Sequence, residues 1–269
     1  MFSPNDGKIL LSSSSDRSVR VCDVASGKRL HKFLGHKEWV RCATWSADGA
    51  YVASASDDSS LRIWRIGSEE DEEPTVLDYA HGGSYTFSVA FSPNGKYIVS
   101  GGDKIMVVWE RKQDGSWKQK HSLKNHNYIY SAVVFPDSKR VLSSSLDKTL
   151  RIWDIEKGIE MQPPIKTELV YHNLWFDPRS SDYVMTPHGL LSLDSSSSFS
   201  RYPEWCPYHL SYDEKQDQWW IMWKEKKIIF LPKLFRALSS LILNDKVVLG
   251  TSPGQVNVYR FSKDISLCP

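Results

Sequence analysis

The sequence is poor in cysteine, nearly balanced in charge, and without a long apolar run. Cys22, Cys42, Cys206 and Cys268 are its four cysteines, and no two stand in CxxC spacing. In a chain of 269 residues they read neither as a disulfide framework nor as a zinc site. Buried thiols acting as small hydrophobes are expected at Cys22 and Cys42. Lys and Arg number 34 against 32 Asp and Glu, a formal charge of +2. That balance leaves no electrostatic footprint for nucleic acid, and none is expected as a partner. Apolar stretches fall far short of the ~20 residues that cross a bilayer, so no membrane partner is expected either. Met1 to Gly7 has neither a basic nor an apolar leader segment, so no secretory signal is expected. The expected setting is the cytoplasm, with the nucleus left open. No Gly-x-x-x-x-Gly-Lys-Ser/Thr phosphate loop occurs. No His/Asp/Cys set stands outside the repeat pattern described next, so neither metal nor cofactor is expected.

What the chain has is aromatics, with 11 Trp and 12 Tyr, and a repeat. Asp58 stands six residues before Trp64, Asp103 six before Trp109, Asp147 six before Trp153, and Asp16 six before Cys22. A turn phrase recurs in the same phase: Phe2-Ser3-Pro4 with Gly7, Trp45-Ser46-Ala47-Asp48-Gly49, Phe91-Ser92-Pro93-Asn94-Gly95, and Phe135-Pro136-Asp137-Ser138. Pro presets φ there, and Asn-Gly or Asp-Gly supplies the positive φ of a tight turn. Short strand-like segments lie between: Ile9 to Ser14, Tyr51 to Ser56, Tyr97 to Gly101 and Arg140 to Ser145 before the Asp turn, then Val19 to Cys22, Leu61 to Trp64, Ile105 to Trp109 and Leu150 to Trp153 after it. A variable further strand follows (Arg29 to Leu34, Thr75 to Tyr79, Lys118 to Leu123), and then a histidine: His36, His81, His126. From each histidine to the next Trp the gap is 28, 28 and 27 residues. Four short strands per unit at a period of roughly 42 residues, with no helical period of similar strength, predict an all-β repeat architecture.

Beyond about residue 165 the texture decays. A fifth unit is predicted from Leu169 to Phe176, Tyr183 to Thr186 and Leu190 to Leu193, with turns at Asp177-Pro178 and His188-Gly189. A Ser-rich loop follows at Ser195 to Ser198. A sixth runs through Tyr208 to Tyr212, Trp219 to Trp223 and Lys227 to Leu231. The seventh runs through Leu238 to Leu243, Lys246 to Thr251 and Gln255 to Phe261, with a Pro253-Gly254 turn.

The Gly35-His36 opening, the Asp turn and the closing Trp153-Asp154 together resemble the WD-repeat family. The resemblance is carried in phase over residues 2 to about 160. It implies a β-propeller, six to seven four-stranded blades with the first incomplete. The whole of 1–269 would be one domain, with regular repeats over 1–165 and degenerate blades over 166–269. A narrower resemblance sits in the tail. Trp219-Trp220-Ile221-Met222-Trp223, Ile228-Ile229-Phe230-Leu231-Pro232, Val247-Val248-Leu249-Gly250 and Gly254-Gln255-Val256 are similar to the last blades of fungal NACHT-WD proteins of the heterokaryon-incompatibility type. There the propeller is a C-terminal sensor.

A Ser-His-Asp set recurs three times: His36, Ser54, Asp58 with Trp64; His81, Ser100, Asp103 with Trp109; His126, Ser143, Asp147 with Trp153. A catalytic triad needs one exposed nucleophile in one cleft, so three copies at the blade period point to a device of the fold, and no catalytic residue is expected. The resemblance implies how it works: Asp accepts from the His ring, His meets the Ser hydroxyl, and Ser meets the Trp indole N–H. Unit one has Cys22 in place of the Trp, and its network is expected to be incomplete. Trp39, Tyr85 and Tyr128, each just ahead of an inner strand, are the candidate partner-binding residues, because propellers of this family bind through the inter-blade loops. Lys37, Lys104 and Lys148 are expected to rim the same face. The run Glu69-Glu70-Asp71-Glu72-Glu73 reads as a solvated loop, and Lys224 to Lys227 as a hairpin turn. The first unit lacks most of an inner strand, and Ile265 to Cys268 could supply only an outer stub. The expectation is therefore a fragment of a longer protein, a late-starting gene model, or an open ring, with poor solubility when 1–269 stands alone. The function expected is a non-enzymatic protein-interaction scaffold with protein partners. The alternative is the sensor part of a NACHT-type signalling NTPase.

Overall fold

The computed structural model describes residues 1–67, 73–78, 82–124, 126–176, 183–186 and 189–193. Beyond these it describes the strand backbones within 199–260. His81, residues 69–72 of the acidic run, the Asp177-Pro178 and Pro253-Gly254 turns, His188, Ser195 to Ser198, Lys224-Glu225 and Ile265 to Cys268 lie outside the described residues.

The described residues are strands and turns without a helix; no helix is therefore long and apolar enough to cross a membrane. The first sheet holds β1 (Ile9–Ser13), β2 (Val19–Asp23) and β3 (Arg29–Phe33) in that order, with Phe2 bridged to Leu10. The second holds β4 (Val40–Trp45), β5 (Tyr51–Ser56), β6 (Leu61–Arg65) and β7 (Thr75–Leu77). The third holds β8 (Thr86–Phe91), β9 (Tyr97–Gly102), β10 (Met106–Arg111) and β11 (Trp117–Leu123). The fourth holds β12 (Ile129–Val134), β13 (Arg140–Ser145) and β14 (Thr149–Asp154), whose outer edge pairs with both β15 (Ile159–Glu160) and β16 (Ile165–Lys166). Pro163 and Pro164 lie in the gap between those two, where a residue without an N–H cannot continue the ladder. All pairings are antiparallel, and each sheet is a meander of consecutive strands. Antiparallel meanders of this kind are the sheets from which β-propeller blades are built.

β17 (Trp175–Phe176), β18 (Tyr183–Thr186), β19 (Gly189–Ser192) and β20 (Phe199–Ser200) follow, with β19 and β20 paired at Leu190↔Ser200 and Leu191↔Phe199. Leu169 to Phe176 was expected as one strand, but only Trp175–Phe176 is. Side-chain hydroxyls of the fourth sheet take the backbone groups instead: Ser144 Oγ donates to Tyr171 O, and Leu174 N–H donates to Ser131 Oγ at 3.0 Å. Two three-stranded sheets complete the order, β21 (Tyr208–Asp213), β22 (Gln218–Trp223) and β23 (Lys226–Leu231), then β24 (Ala237–Leu243), β25 (Lys246–Thr251) and β26 (Val256–Arg260). The chain divides into two compact units, Met1–Val184 with Leu193–Ser197, and Met185–Ser192 with Ser198–Pro269.

Within the first unit the core lies between neighbouring sheets. Leu11, Val19 and Val21 of the first sheet pack on Val40, Trp45, Val52 and Trp64 of the second. Ala53, Leu61 and Ile63 pack on Val89, Ile98 and Val107 of the third. Tyr97, Val99, Met106 and Val108 pack on Ile129, Ala132, Val141 and Trp153 of the fourth. Period-two alternation makes this possible, since each inner sheet buries one set of side chains against each neighbour.

The alternation is broken at one place in each of β4, β8 and β12. Opposite neighbours shift register between Val40 and Cys42, between Thr86 and Ser88, and between Ile129 and Ser131. Arg41, Phe87 and Tyr130 are thus bulge residues, one extra residue against the partner strand, and a bulge re-aims side chains. The residue after each bulge turns to the next sheet. Ala132 N–H donates to Ser88 Oγ at 2.8 Å, Leu174 N–H donates to Ser131 Oγ, and the Cys42 thiol lies 3.7 Å from Val89 O.

Candidate functional site

The Asp turns build the loops at one end of each sheet. In the second sheet Asp58 Oδ1 accepts Ser60 N–H at 3.0 Å and Ser60 O–H at 2.7 Å. Asp147 holds Thr149 in the same way at 3.0 and 2.6 Å, and Asp16 holds Ser18 at 3.1 and 2.6 Å. The intervening residue is left-handed each time: Arg17 at φ 69°, Ser59 at 69°, Lys104 at 62° and Lys148 at 57°. A side-chain oxygen that captures the N–H two residues on offsets the steric cost of that conformation. The Ser or Thr two residues after Asp16, Asp58 and Asp147 was the sequence signal for this clamp, and it went unread. Asp103 is followed by Lys104-Ile105 and has no such hydroxyl.

Around Asp58 the four chosen side chains converge. His36 Nδ1 lies 2.9 Å from Asp58 Oδ2, His36 Nε2 lies 2.7 Å from Ser54 Oγ, and Trp64 Nε1–H donates to Ser54 Oγ at 3.1 Å. With the proton on Nδ1 given to Asp58, Nε2 accepts from Ser54, and Ser54 accepts from Trp64; every donor has an acceptor. Lys37 N–H adds a bond to Asp58 Oδ2 at 2.8 Å. Burial works against the charged form of Asp58, but the bonds from His36, Ser60 and Lys37 outweigh it and hold the carboxyl well below its ordinary range. Ser54 is fully buried. A hydroxyl engaged by Trp64 and His36 and closed to solvent is not placed to attack a substrate.

The other copies are partial. His126 Nδ1 reaches Asp147 Oδ2 at 3.0 Å, and Trp153 Nε1–H donates to Ser143 Oγ at 2.9 Å. The expected link between them is absent: His126 Nε2 is buried without a hydrogen-bond partner, and Ser143 Oγ turns to Arg151 O at 3.5 Å. Burial, opposed by Asp147, lowers the His126 pKa. In the third sheet Trp109 Nε1–H donates to Ser100 Oγ at 3.3 Å. Asp103 Oδ1 there is buried and has no hydrogen-bond partner among the described residues.

The three candidate binding residues occupy one structural position, directly ahead of β4, β8 and β12. Trp39 is 49% and Tyr85 54% exposed, while Tyr128 is half-buried. Asp57 N–H donates to Trp39 O at 2.9 Å and Leu146 N–H to Tyr128 O at 3.1 Å, tying these residues to the neighbouring Asp turns. Two residues on from each comes the bulge residue, which the sequence reading missed. The pairs are Trp39 with Arg41, Tyr85 with Phe87, and Tyr128 with Tyr130. The bulges carry these side chains into one row. Phe87 lies 6.2 Å from Tyr85, 6.1 Å from Tyr128 and 5.5 Å from Tyr130, and Tyr130 lies 4.4 Å from His172, all between ring centroids. Arg41 covers the Trp39 ring at 4.9 Å and is gripped by both oxygens of Asp57 at 2.7 to 3.0 Å. An aromatic or Arg two residues after an aromatic, three times in phase, was the available signal.

Among the described residues no group of three His, Cys, Asp or Glu side chains could hold a metal ion. A recess of about 370 Å³ opens between the second and third sheets, lined by Tyr51, Arg111 and Trp117 among others. Arg111 already lies against both rings, 5.1 Å from Tyr51 and 6.0 Å from Trp117.

Comparison with known proteins places this geometry. Residues 27–65, 74–110 and 117–154 match the family model described as WD domain, G-beta repeat. The three matched segments coincide with the outer strand of the first sheet and most of the second to fourth sheets. Among similar curated proteins, Nuclear distribution protein PAC1-2 of Uncinocarpus reesii is 32% identical over 174 residues, covering 57% of this chain and 37% of that protein. Polycomb protein EED of Chaetomium thermophilum is 29% identical, covering 60% of this chain and 31% of the relative. Cell division control protein 4 of Saccharomyces cerevisiae is 33% identical, covering 56% and 22%. The chain thus spans well under half the length of the curated relatives it matches.

Proposed function

We propose that this WD-repeat protein is a non-enzymatic interaction scaffold, whose blades hold a fixed surface on which protein partners dock. The observation that carries it is the row of aromatics ahead of and within the inner strands, with Trp39 and Tyr85 about half exposed and the Trp39 loop clamped by the Asp57-Asp58 turn. Large rings held rigidly and left open to solvent are the composition of interface hot spots. The relatives support the reading in kind: one is named for nuclear distribution, one as a Polycomb protein, and another as the Transcriptional corepressor LEUNIG_HOMOLOG of Arabidopsis thaliana. The cytoplasm remains the proposed location. A NACHT-type sensor role rests on the tail residues alone, and the comparisons lend it no support.

The test compares wild type with the Trp39→Ala, Tyr85→Ala double variant. Both changes are on exposed side chains, so thermal unfolding is expected to hold. Proteins co-purified from the native host and quantified by mass spectrometry should include a set that the variant loses. An identical set with both proteins would overturn the assignment of this surface.

A further inference from the structure

We infer that the aromatic row takes an acidic peptide, one bearing an aromatic or aliphatic anchor flanked by Asp or Glu. The inference rests on the docking role proposed above and adds the chemistry of the partner. It starts from the register of the blades. Thr86 pairs with Gly102, so the Asp103-Lys104 turn sits at the end of the third sheet that carries Tyr85. Ile129 pairs with Ser145, so the Asp147-Lys148 turn sits at the end of the fourth sheet that carries Tyr128. Lys37 sits two residues before Trp39, its N–H on Asp58. Lys124 joins Lys104, Ile105, His126 and Asn127 in lining a shallow depression of about 480 Å³, which runs up to the residue before Tyr128.

The charges on this end are unequal in what they leave free. Lys37, Lys104, Lys124 and Lys148 are exposed and enter no ion pair among the described residues. The acids of the same loops are mostly engaged: Asp57 by Arg41, Asp58 by His36, and Asp147 by His126. Glu38, which is exposed, and Asp103, whose Oδ1 is buried without a hydrogen-bond partner among the described residues, are the exceptions. The middle of the row, from Tyr85 through Phe87 to Tyr130, consists of uncharged rings, and the Arg41 guanidinium near Tyr85 and Tyr130 is held by Asp57. An uncharged aromatic centre with free ammonium groups at its margin complements an anchor side chain flanked by carboxylates.

Single-stranded nucleic acid also combines stacking with positive charge. The rings argue against it. They brace one another at interplanar angles of 63°, 52° and 52°, the first edge toward face and the others tilted, and do not offer separate parallel platforms for successive bases.

The experiment is selection of a random dodecapeptide phage library on the whole chain, followed by anisotropy titration of the enriched peptides. Enrichment of Asp and Glu around an aromatic or aliphatic position is expected. The Lys104→Glu, Lys148→Glu variant changes exposed side chains only, and should bind those peptides about tenfold more weakly or worse. Enrichment of Lys and Arg, absence of charge bias, indifference to the charge reversal, or displacement of the peptide by an oligothymidine at lower concentration than by the acidic peptide itself would each overturn the inference. The two readings fail separately. If Trp39→Ala, Tyr85→Ala abolishes partner capture while no acidic peptide is enriched, the surface docks proteins of another chemistry and only this inference falls.

Discussion

At Asp58 one carboxylate collects four donors, from His36, from Lys37 N–H, and from the N–H and hydroxyl of Ser60. It thereby closes its own turn and pins the loop that precedes β4. Asp58→Ala would leave the His36 ring without its acceptor in a site where the side chain is 1% exposed. The cost expected is on the order of 1–3 kcal/mol, read as a drop in the thermal or urea midpoint. Asp147 serves fewer donors and is 27% exposed, and its His126 already lacks the Ser143 contact. Asp147→Ala is therefore expected to cost less. Equal losses in the two variants would show that the completed network adds nothing beyond the turn. The chain thus contains a natural comparison, one set whole at His36 and one broken at His126.

The blade as an element shows what periodicity can reveal and what it hides. The His36 network was expected from the family resemblance, whereas strand positions and the Asp turns were legible, because each is a local phrase repeated in phase. Turn chemistry and alternation decide them without reference to neighbours. The bulges were not legible. Phe87 to Phe91 and Val40 to Trp45 contain no Gly, Pro, Asn or Asp to mark a break, and one extra residue leaves no mark in a hydrophobicity pattern. It shows only in the register between strands, so Arg41, Phe87, Tyr130 and their link to the next sheet were missed. The split outer strand of the fourth sheet and the hydroxyl-held segment at Tyr171 and Leu174 escaped for the same reason. Each depends on a partner far away in sequence. The inter-sheet bonds carry their own prediction. Ser131 is buried, and its hydroxyl takes Leu174 N–H, itself in a buried residue. Ser131→Ala leaves that N–H unpaired and is expected to cost about 1 kcal/mol or somewhat more. Amide exchange at Leu174 should quicken before the strands of the fourth sheet do. Unchanged protection at Leu174 would mean that another acceptor holds it.

Across the first compact unit, stability belongs to the joints between sheets as much as to the sheets. Among the described residues, these hydrophobic clusters each draw on two neighbouring sheets rather than one, and repeat units that bury surface against neighbours are coupled like links in a chain. Gly101 tests that coupling. It lies in β9, and a Cβ built on it would stand 2.7 Å from Ile129 Cγ2 and 3.2 Å from Ile129 O, in the next sheet. The methyl of Gly101→Ala can be accommodated only if β9 and β12 move apart, because the backbone oxygen cannot rotate away as a side chain could. Overpacking of this kind is expected to cost ~1–3 kcal/mol. Hydrogen exchange read by mass spectrometry separates a local from a shared loss. A coupled unit loses protection in β9 and β12 together, and the anisotropy-measured affinity of any peptide docked across Phe87 and Tyr130 falls with it, since Ile129 immediately precedes the Tyr130 bulge. Loss confined to the third sheet would mean that the blades are stable singly, and the aromatic row would then be three separate platforms lying side by side.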